Sequence, residues 1–226
     1  MYMRNITVMI THATSHLGVA AANHFLRLGS RVILVDDDAH KLDTAVQSAR
    51  LISDNIFPLH LNFDSLTQLE TKLKSQLPNM EQGKPIFCLM NLWPSLHYPT
   101  LMDQKNIEDS FQHINHIMAQ THLLTHIVSQ HMYQQGTEGV VINVNDRDDE
   151  DKDCFNDTPM VIQGLTRKWS HELKPYNIRV TGLVPPNQQE ADAMSESLSN
   201  DDEMVRNIEY LLRNKYTSGR MHEIQN

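Results

Sequence analysis

The chain has 226 residues, which suits one large α/β domain with a substantial buried core. Its formal net charge is −9, which argues against nucleic acid or an anionic membrane as a partner. No apolar run approaches the roughly 18 residues of a membrane span, and the N-terminus has no signal-peptide pattern. We therefore expect a cytoplasmic protein. Two cysteines, Cys88 and Cys154, are too few for a disulfide framework.

Short apolar runs alternate with longer segments in which apolar residues have helical spacing. In chain order, the predicted elements are strand Ile6–Ile10, helix Gly18–Leu28, strand Arg31–Val35, helix Asp38–Leu51, strand Phe57–Leu61, helix Leu66–Leu77, strand Ile86–Met90, helix Ile107–Gln134, strand Val140–Val144, helix Thr158–Leu173, strand Ile178–Val184 and helix Glu203–Arg213. Alternating strands and helices indicate βαβ units. The sequence therefore predicts a single α/β domain over residues 1–226, a Rossmann-type doubly wound parallel sheet with helices on both faces.

Several motifs, in the same order along nearly the whole chain, resemble the short-chain dehydrogenase/reductase family. Residues Ile162–Arg167 and then His171–Val180 resemble the family's catalytic helix and the sixth strand that follows it. Thr11–Gly18 resembles its Thr-Gly-x-x-x-Gly-x-Gly turn, and Met90–Trp93 stands where the family has Asn-Asn-Ala-Gly. Tyr216–Gly219 resembles its C-terminal Thr-Gly turn. The resemblance implies the same fold and a nicotinamide dinucleotide as the cofactor.

The turn that this resemblance assigns to the cofactor pyrophosphate has lost two of its glycines. His12 and His16 stand at the first and second Gly positions, and only Gly18 is kept. A Cβ where backbone must approach the pyrophosphate closely weakens or prevents binding. The N-terminus of the following helix still attracts phosphate. Weak or absent dinucleotide binding and an adapted site are therefore both open.

The resemblance also supplies candidate cofactor-binding residues, which are Ser15, Leu17, Asp36, Asn62 and Asn91. Asp36 follows the second strand, where a carboxylate accepts hydrogen bonds from the adenine ribose. Asn62 stands where the family has an Asp that contacts adenine, and Asn91 matches the second Asn of the fourth-strand motif. Asp37 and Asp38 would repel a 2′-phosphate, so NAD is preferred over NADP if a dinucleotide binds. The alternative is that Asp36–Asp38 forms only a turn with a helix N-cap.

The family's catalytic positions are replaced in this chain. Counting back from Gly164, the Tyr-x-x-x-Lys motif falls on Phe155 and Pro159. Phe155 has no hydroxyl to exchange a proton, and Pro159 has neither an ammonium group nor a backbone N–H. We therefore predict no catalytic residue and a helix that begins later than in the family. Trp93 replaces the motif glycine, and its indole is expected to crowd the nicotinamide side.

Two further groups of polar residues have alternative interpretations. The acidic segment 146–153 follows the fifth strand, and Asn145 and Asp146 stand where the family has its active-site Ser. The segment is either a source of a replacement carboxylate base or a solvated acidic loop. The histidine pairs His122/His126 and His113/His116 point to opposite sides of the long helix. No metal site is predicted, because no further ligand completes either pair.

These observations support two hypotheses about function. The first is a non-catalytic family member, a pseudoenzyme with weak or no dinucleotide binding and a binding, regulatory or oligomeric role. The alternative is an NAD-dependent short-chain oxidoreductase that acts on an unknown alcohol or carbonyl substrate with an atypical acid/base. A homodimer or homotetramer is expected through helices 107–134 and 158–173, because Leu123 and Ile127 give the first of them a second apolar face. An unidentified protein partner is also open.

Overall fold

The computed structural model describes residues 3–61, 66–81, 83–99, 102, 107–146, 157–185 and 200–224. Its strands are β1 (Thr7–Thr11), β2 (Arg31–Asp36), β3 (Ile56–His60), β4 (Ile86–Trp93), β5 (Gly139–Asn145), β6 (Ile178–Val184) and β7 (Met221–Glu223). They form one sheet in the order β3-β2-β1-β4-β5-β6-β7. All of its pairings are parallel, and Val8 of β1 lies between Val32 of β2 and Cys88 of β4. The predicted Rossmann-type sheet is confirmed.

Six α-helices connect and cover these strands in the described part of the chain. They are α1 (His16–Arg27), α2 (Ala39–Arg50), α3 (Leu66–Glu81), α4 (Ile107–Gln134), α5 (Thr158–Leu173) and α6 (Asn200–Arg213). The predicted bounds hold for α4 and α5, and the other predicted ends differ by a few residues. The short strand β7 was not predicted, because three residues carry too little apolar pattern. None of the helices in these ranges is long and apolar enough to cross a membrane.

The sheet is buried on both faces, as continuous apolar strands require. One core contains alternate strand residues such as Val8 and Ile142, together with apolar residues of α1, α2 and α6. The other contains Met9 and Val141 with apolar residues of α3, α4 and α5. Burying one such large apolar side chain contributes about 1.5–3 kcal/mol. The two cores therefore fix which edge of the sheet each loop reaches.

A network of buried polar side chains ties the middle of the sheet to α4 and α5. The Asn91 amide donates to Thr125 Oγ1 (3.0 Å) and to Asn143 Oδ1 (3.1 Å). The Trp93 indole N–H also donates to Asn143 Oδ1, and the Asn143 amide donates to Thr166 Oγ1 (2.9 Å). All five side chains are buried. Buried polar groups need partners, so this network fixes where both helices sit on the sheet.

A second polar cluster closes the amino edge of the sheet around Glu81, the last residue of α3. The Glu81 carboxylate accepts hydrogen bonds from Ile86 N (2.8 Å) and from the Gln135 amide, and it lies 3.0 Å from His131 Nε2. Arg31 donates to the Glu81 carbonyl. Burial by itself raises the pKa of Glu81. The hydrogen bonds from His131 and Ile86 lower it by more, so the pKa lies below its ordinary value.

We expect Glu81→Gln to lower the free energy of unfolding at pH 7 by about 2 kcal/mol, because the buried network loses its negative charge and one of its two acceptor oxygens. Because the pKa of Glu81 is lower in the folded than in the unfolded protein, its ionised carboxylate stabilises the fold at pH values above the unfolded-state pKa. This stabilisation is lost as the pH falls through the folded-state pKa. The difference between variant and wild type should therefore shrink below about pH 4.5. Urea denaturation of both proteins across pH 3.5–7 measures this difference in the free energy of unfolding.

Glu172→Gln is the matched control, because Glu172 is exposed and pairs only with Lys168 on the same helix. We expect little change in stability from this variant at any pH. A loss for Glu81→Gln that is equally large at low and neutral pH would contradict the proposed role of the Glu81 charge.

Candidate dinucleotide-binding site

A crevice lies at the carboxyl edge of the sheet, where β1, β2 and β4 end. From β1 the chain proceeds outward to β2 and β3 and then returns to place β4 on the other side of β1. Such a reversal is where open α/β sheets bind ligands. The crevice encloses about 460 Å³, and the residues that line it include Thr11, His12, Asp36, Asp37, Leu92 and Ile117. This volume is within the usual range of small-molecule sites, about 300–1,000 Å³.

The turn between β1 and α1 keeps a bend of the kind that glycine favours, although His12 stands at the first glycine position. His12 has a φ of 49°, in the left-handed region. The bend is held by hydrogen bonds from Ala13 N to Val35 O (3.3 Å) and from Ser15 N to His12 O (3.3 Å). A non-glycine residue in this conformation costs about 1–2 kcal/mol. His16 is exposed at the first position of α1, so neither histidine side chain is part of the core.

Gly18, the glycine that remains, has a steric role. A Cβ added to Gly18 would lie 2.7 Å from the carbonyl oxygen of Ala13 and 2.8 Å from its carbonyl carbon. Both are backbone atoms, so a flexible side chain cannot move aside to make room. Only glycine lets the first turn of α1 approach the preceding turn this closely.

The N-terminus of α1 offers polar groups to an anion. Ser15 is the N-cap, and its Oγ accepts a hydrogen bond from Gly18 N (3.0 Å). The Ser15 hydroxyl still has its own proton to donate. A helix leaves its first backbone N–H groups without intrahelical partners, and here these belong to His16 and Leu17. The Leu17 side chain is buried, so Leu17 can contact a phosphate only through its backbone.

Asp36 joins the end of β2 to this turn. Its carboxylate accepts hydrogen bonds from Thr14 N (3.0 Å) and from Asp38 N (3.2 Å), and the residue is 6 % exposed. A carboxylate has about four acceptor positions, so capacity remains for ribose hydroxyls. Asp38 is the N-cap of α2 and accepts from Lys41 N (3.0 Å), which lowers the pKa of Asp38. The capping alternative is therefore confirmed for Asp38, whereas Asp36 lines the crevice.

One predicted cofactor residue, Asn91, is not among the residues that line the crevice. Asn91 has no exposed surface, and its amide is used within the network with Thr125 and Asn143. From this position Asn91 joins β4, β5 and α4, and its contact with a dinucleotide stays a prediction. Asn62 lies outside the described residues. The Trp93 indole is 1 % exposed and belongs to the core that the sheet forms with α3, α4 and α5.

The start of α5 bears on the missing catalytic residues. Pro159 is the second residue of this helix, so the helix begins at Thr158, and the position of the family's lysine carries no cation. Thr158 Oγ1 accepts from Leu96 N (2.7 Å), and Asp157 accepts from Tyr98 N (2.9 Å). These bonds hold the start of α5 against the chain that follows β4. Phe155 lies outside the described residues.

Asp146 is the described part of the acidic segment. It directly follows Asn145, the last residue of β5, and its backbone N–H donates to Trp93 O (2.8 Å). Asp146 is 8 % exposed. A carboxylate-bearing residue therefore lies at the carboxyl edge of β5, next to the end of β4. Residues 147–153 lie outside the described residues.

Sequence reasoning missed a set of histidines at the crevice. His97, from the segment after β4, and His113 and His116, from the first half of α4, line it together with His12. The helical spacing places His113 and His116 on one surface of α4, but it does not determine which other element that surface contacts. Across the described ranges, no three His, Cys, Asp or Glu side chains are arranged to hold a metal ion.

The groove between α4 and α5 is the surface predicted to join copies of the chain. It is lined by His122, His126, Tyr133, Trp169 and Tyr176, and Tyr133 and Tyr176 are both about half exposed, with ring centroids 5.0 Å apart. The homodimer or homotetramer stays a prediction, which light scattering of the purified protein tests directly.

The fold and the crevice together define a Rossmann-type α/β protein with a nucleotide-binding architecture. The family model described as short chain dehydrogenase matches residues 6–202. The chain therefore belongs to the short-chain dehydrogenase/reductase family, as its motifs indicated.

Individual relatives are similar at low sequence identity. The chain is 23% identical over 198 residues to sorbitol-6-phosphate 2-dehydrogenase of Klebsiella pneumoniae, covering 81% of this chain and 69% of that protein. The solved structure of a 3-ketoacyl-(acyl-carrier-protein) reductase from Brucella melitensis, complexed with NADH, has a TM-score of 0.75 at 19% identity and covers 97% and 96% of the two chains. NAD⁺-bound xylitol dehydrogenase gives 0.74 at 19% identity and covers 97% of each chain. These structural matches establish the fold.

We expect Gly18→Ala to lower the free energy of unfolding by about 2 kcal/mol, because the new methyl group overlaps the Ala13 backbone. The displaced turn should also weaken NADH binding. The control is Gly164→Ala on α5, where an added Cβ meets nothing within 4 Å and alanine should stabilise the helix by about 1 kcal/mol. Chemical denaturation measures both variants. Stabilisation by both substitutions would show that Gly18 is not sterically required.

Proposed function

We propose that this chain binds NAD in the crevice and uses it to oxidise or reduce a small alcohol or carbonyl compound. The observation that carries the proposal is Asp36. Its carboxylate lies in the crevice, tied to the turn through Thr14 N, beside the N-terminus of α1. A ribose acceptor and a phosphate-binding helix end therefore lie together, as a dinucleotide requires.

The turn fits a dinucleotide in a modified form. The bend at His12 is present without glycine, and Gly18 keeps α1 close to it. Ser15 and the N–H groups at the start of α1 supply donors for a pyrophosphate. When bound, the cofactor supplies the hydride-transfer chemistry, and the chain's own residues orient it and handle the proton.

The charges at the ribose end favour NAD over NADP. Asp37 is exposed and lines the crevice directly after Asp36. Two carboxylates near the adenine ribose repel a 2′-phosphate, and no lysine or arginine is among the residues of the crevice lining to offset them. Two related proteins are described in complex with NADH or NAD⁺, which supports the same choice.

The proton-transfer group must differ from that of the family pattern, because Phe155 and Pro159 replace the family's tyrosine and lysine. Asp146 is the proposed replacement. It lies at the carboxyl edge of β5, and the hydrogen bond from its N–H to Trp93 O holds its backbone in place. A carboxylate can act as general base toward an alcohol when it is within hydrogen-bond reach. The similarity to sorbitol-6-phosphate 2-dehydrogenase supports a polyol or its carbonyl counterpart as the substrate class.

Pro159 also favours a second candidate function. Without the lysine at this position, the chain can retain a nucleotide and lack turnover, and it would then act as a dinucleotide-binding regulatory protein. This candidate shares the binding site with the first and differs only in the chemical step, so binding and turnover have to be measured separately.

We expect NADH to bind saturably in calorimetric titration and NADPH to bind at least about tenfold more weakly, because Asp36 and Asp37 repel the extra phosphate. Asp37→Asn should reduce the ratio of NADH affinity to NADPH affinity and leave the affinity for NADH nearly unchanged. Asp43→Asn, an exposed change on α2 away from the crevice, is the control and should leave the ratio unaltered. Equal affinity for NADH and NADPH would contradict NAD preference, and failure of both to bind would defeat the proposed function.

We expect Asp146→Asn to reduce turnover of an active polyol or ketone by about 100-fold or more while NADH affinity is retained, because the proton-transfer group is lost. NADH absorbance follows the reaction across a panel of polyols and ketones. Asp157→Asn is the neighbouring control, since Asp157 bonds to Tyr98 N and has no proposed chemical role. Tight NADH binding without turnover of any panel member would favour the regulatory candidate. Full activity in Asp146→Asn would exclude Asp146 as the base.

A further inference from the structure

A second cavity lies at the opposite edge of the sheet from the crevice. It encloses about 660 Å³ and is formed by the C-terminal half of α5, the end of α6, the starts of β5 and β6, and the segment that leads to β7. We name it the basic cavity and define it by Arg167, His171, Lys174, Arg179, Arg213, Lys215 and Arg220, which line it. It shares no lining residue with the crevice.

The charge of the basic cavity is opposite to that of the whole chain. The chain carries a formal charge of −9, with 28 acidic residues against 19 Lys and Arg. Six of those 19 cations line this cavity, and Glu138 is the single acidic residue among the lining residues. Cations gathered at a concave surface repel one another and destabilise the fold. An anionic ligand that neutralises them would offset this cost.

Within the described ranges, three of these cations are not neutralised by a carboxylate. Lys215 pairs with Glu138 (2.7 Å), and Arg213 pairs with Glu209 (2.6 Å). Arg167, Lys174 and Arg220 have no carboxylate within ion-pair distance among the described residues. Because these three come from α5, from the residue after it and from the segment before β7, their charges face the cavity from two sides.

Arg179 adds a cation that the fold holds in place. Its guanidinium donates to the carbonyl oxygens of Asn214 (2.7 Å) and Leu212 (3.0 Å) at the end of α6. Burial lowers the pKa of Arg179, yet an arginine side chain stays charged in proteins. The carbonyl groups satisfy its donors without neutralising its charge. A fixed cation therefore lies at the wall of the cavity, beside the exposed basic side chains that also line it.

We propose that the basic cavity binds a small molecule that carries two or more phosphate groups. Its volume is that of a small-molecule site, and its cations are distributed around it, so a single monovalent anion would engage only a few of them. Arginine side chains bind phosphate oxygens through two parallel hydrogen bonds. Phe87, Ile178 and Leu212 supply apolar wall against which an organic part of the ligand would pack.

The test is a calorimetric titration of the full chain with inorganic pyrophosphate. We expect saturable binding of one molecule per chain, weakened at least about tenfold in Arg167→Gln/Arg220→Gln. The control is Arg27→Gln/Arg50→Gln, which removes the same charge from exposed positions on α1 and α2 that do not line the cavity. This control should bind pyrophosphate as the wild type does. NADH binding should be unchanged in both variants, so failure here is distinct from failure of the proposed function.

Four outcomes would overturn the proposal. They are absence of saturable pyrophosphate binding, equal weakening in both double variants, orthophosphate binding as tightly as pyrophosphate, and binding of an oligoglutamate peptide in place of pyrophosphate. The last would assign the cavity to an acidic protein partner. Circular dichroism and thermal melting establish that both variants are folded, which is expected because all four substituted side chains are exposed.

Discussion

The contact between the first turn of α1 and the turn before it determines the geometry of the crevice. Gly18 allows the helix to lie against the Ala13 backbone, and this position presents Thr14 N to the Asp36 carboxylate. The strain at His12 is tolerated because hydrogen bonds on both sides hold the bend. A shift of the helix would separate Asp36 from Thr14, so the ribose and phosphate ends of the site depend on the same close approach.

The polar network around Asn143 supplies hydrogen-bond partners inside the fold, whereas the polar groups of the crevice face a space that a ligand can enter. Parallel sheets of this kind are covered by helices, so every polar group inside must find a partner within the protein. The amide NH2 group of Asn91 donates to Asn143, and that of Asn143 donates to Thr166, which links β4, β5 and α5. Side chains used in this way support the fold even where they stand at a family motif.

The two edges of the sheet carry opposite charge. Asp36, Asp37 and Asp146 lie at the carboxyl edge, whereas Arg167 and Arg220 lie at the amino edge. Charges in solvent are screened beyond about 8 Å at physiological salt, so the two sites attract ligands independently. On the two proposals above, the crevice would select against an extra phosphate group and the basic cavity would favour one. A single fold can thus distinguish two phosphate-bearing ligands by where their charges meet the sheet.

The sequence by itself determined the fold, because apolar periodicity and turn residues act over a few neighbouring positions. The resemblance of its motifs to the family pointed to Gly18 and Asp36 and to the replacement of a lysine by Pro159. The tertiary structure decided contacts between distant residues. It put Asn91 in the core with Thr125, joined Asp36 to Thr14, and gathered Arg167, Arg179 and Arg220 around one cavity. No local sequence pattern encodes these contacts, because they depend on the crossovers that bring separate segments to the same edge of the sheet.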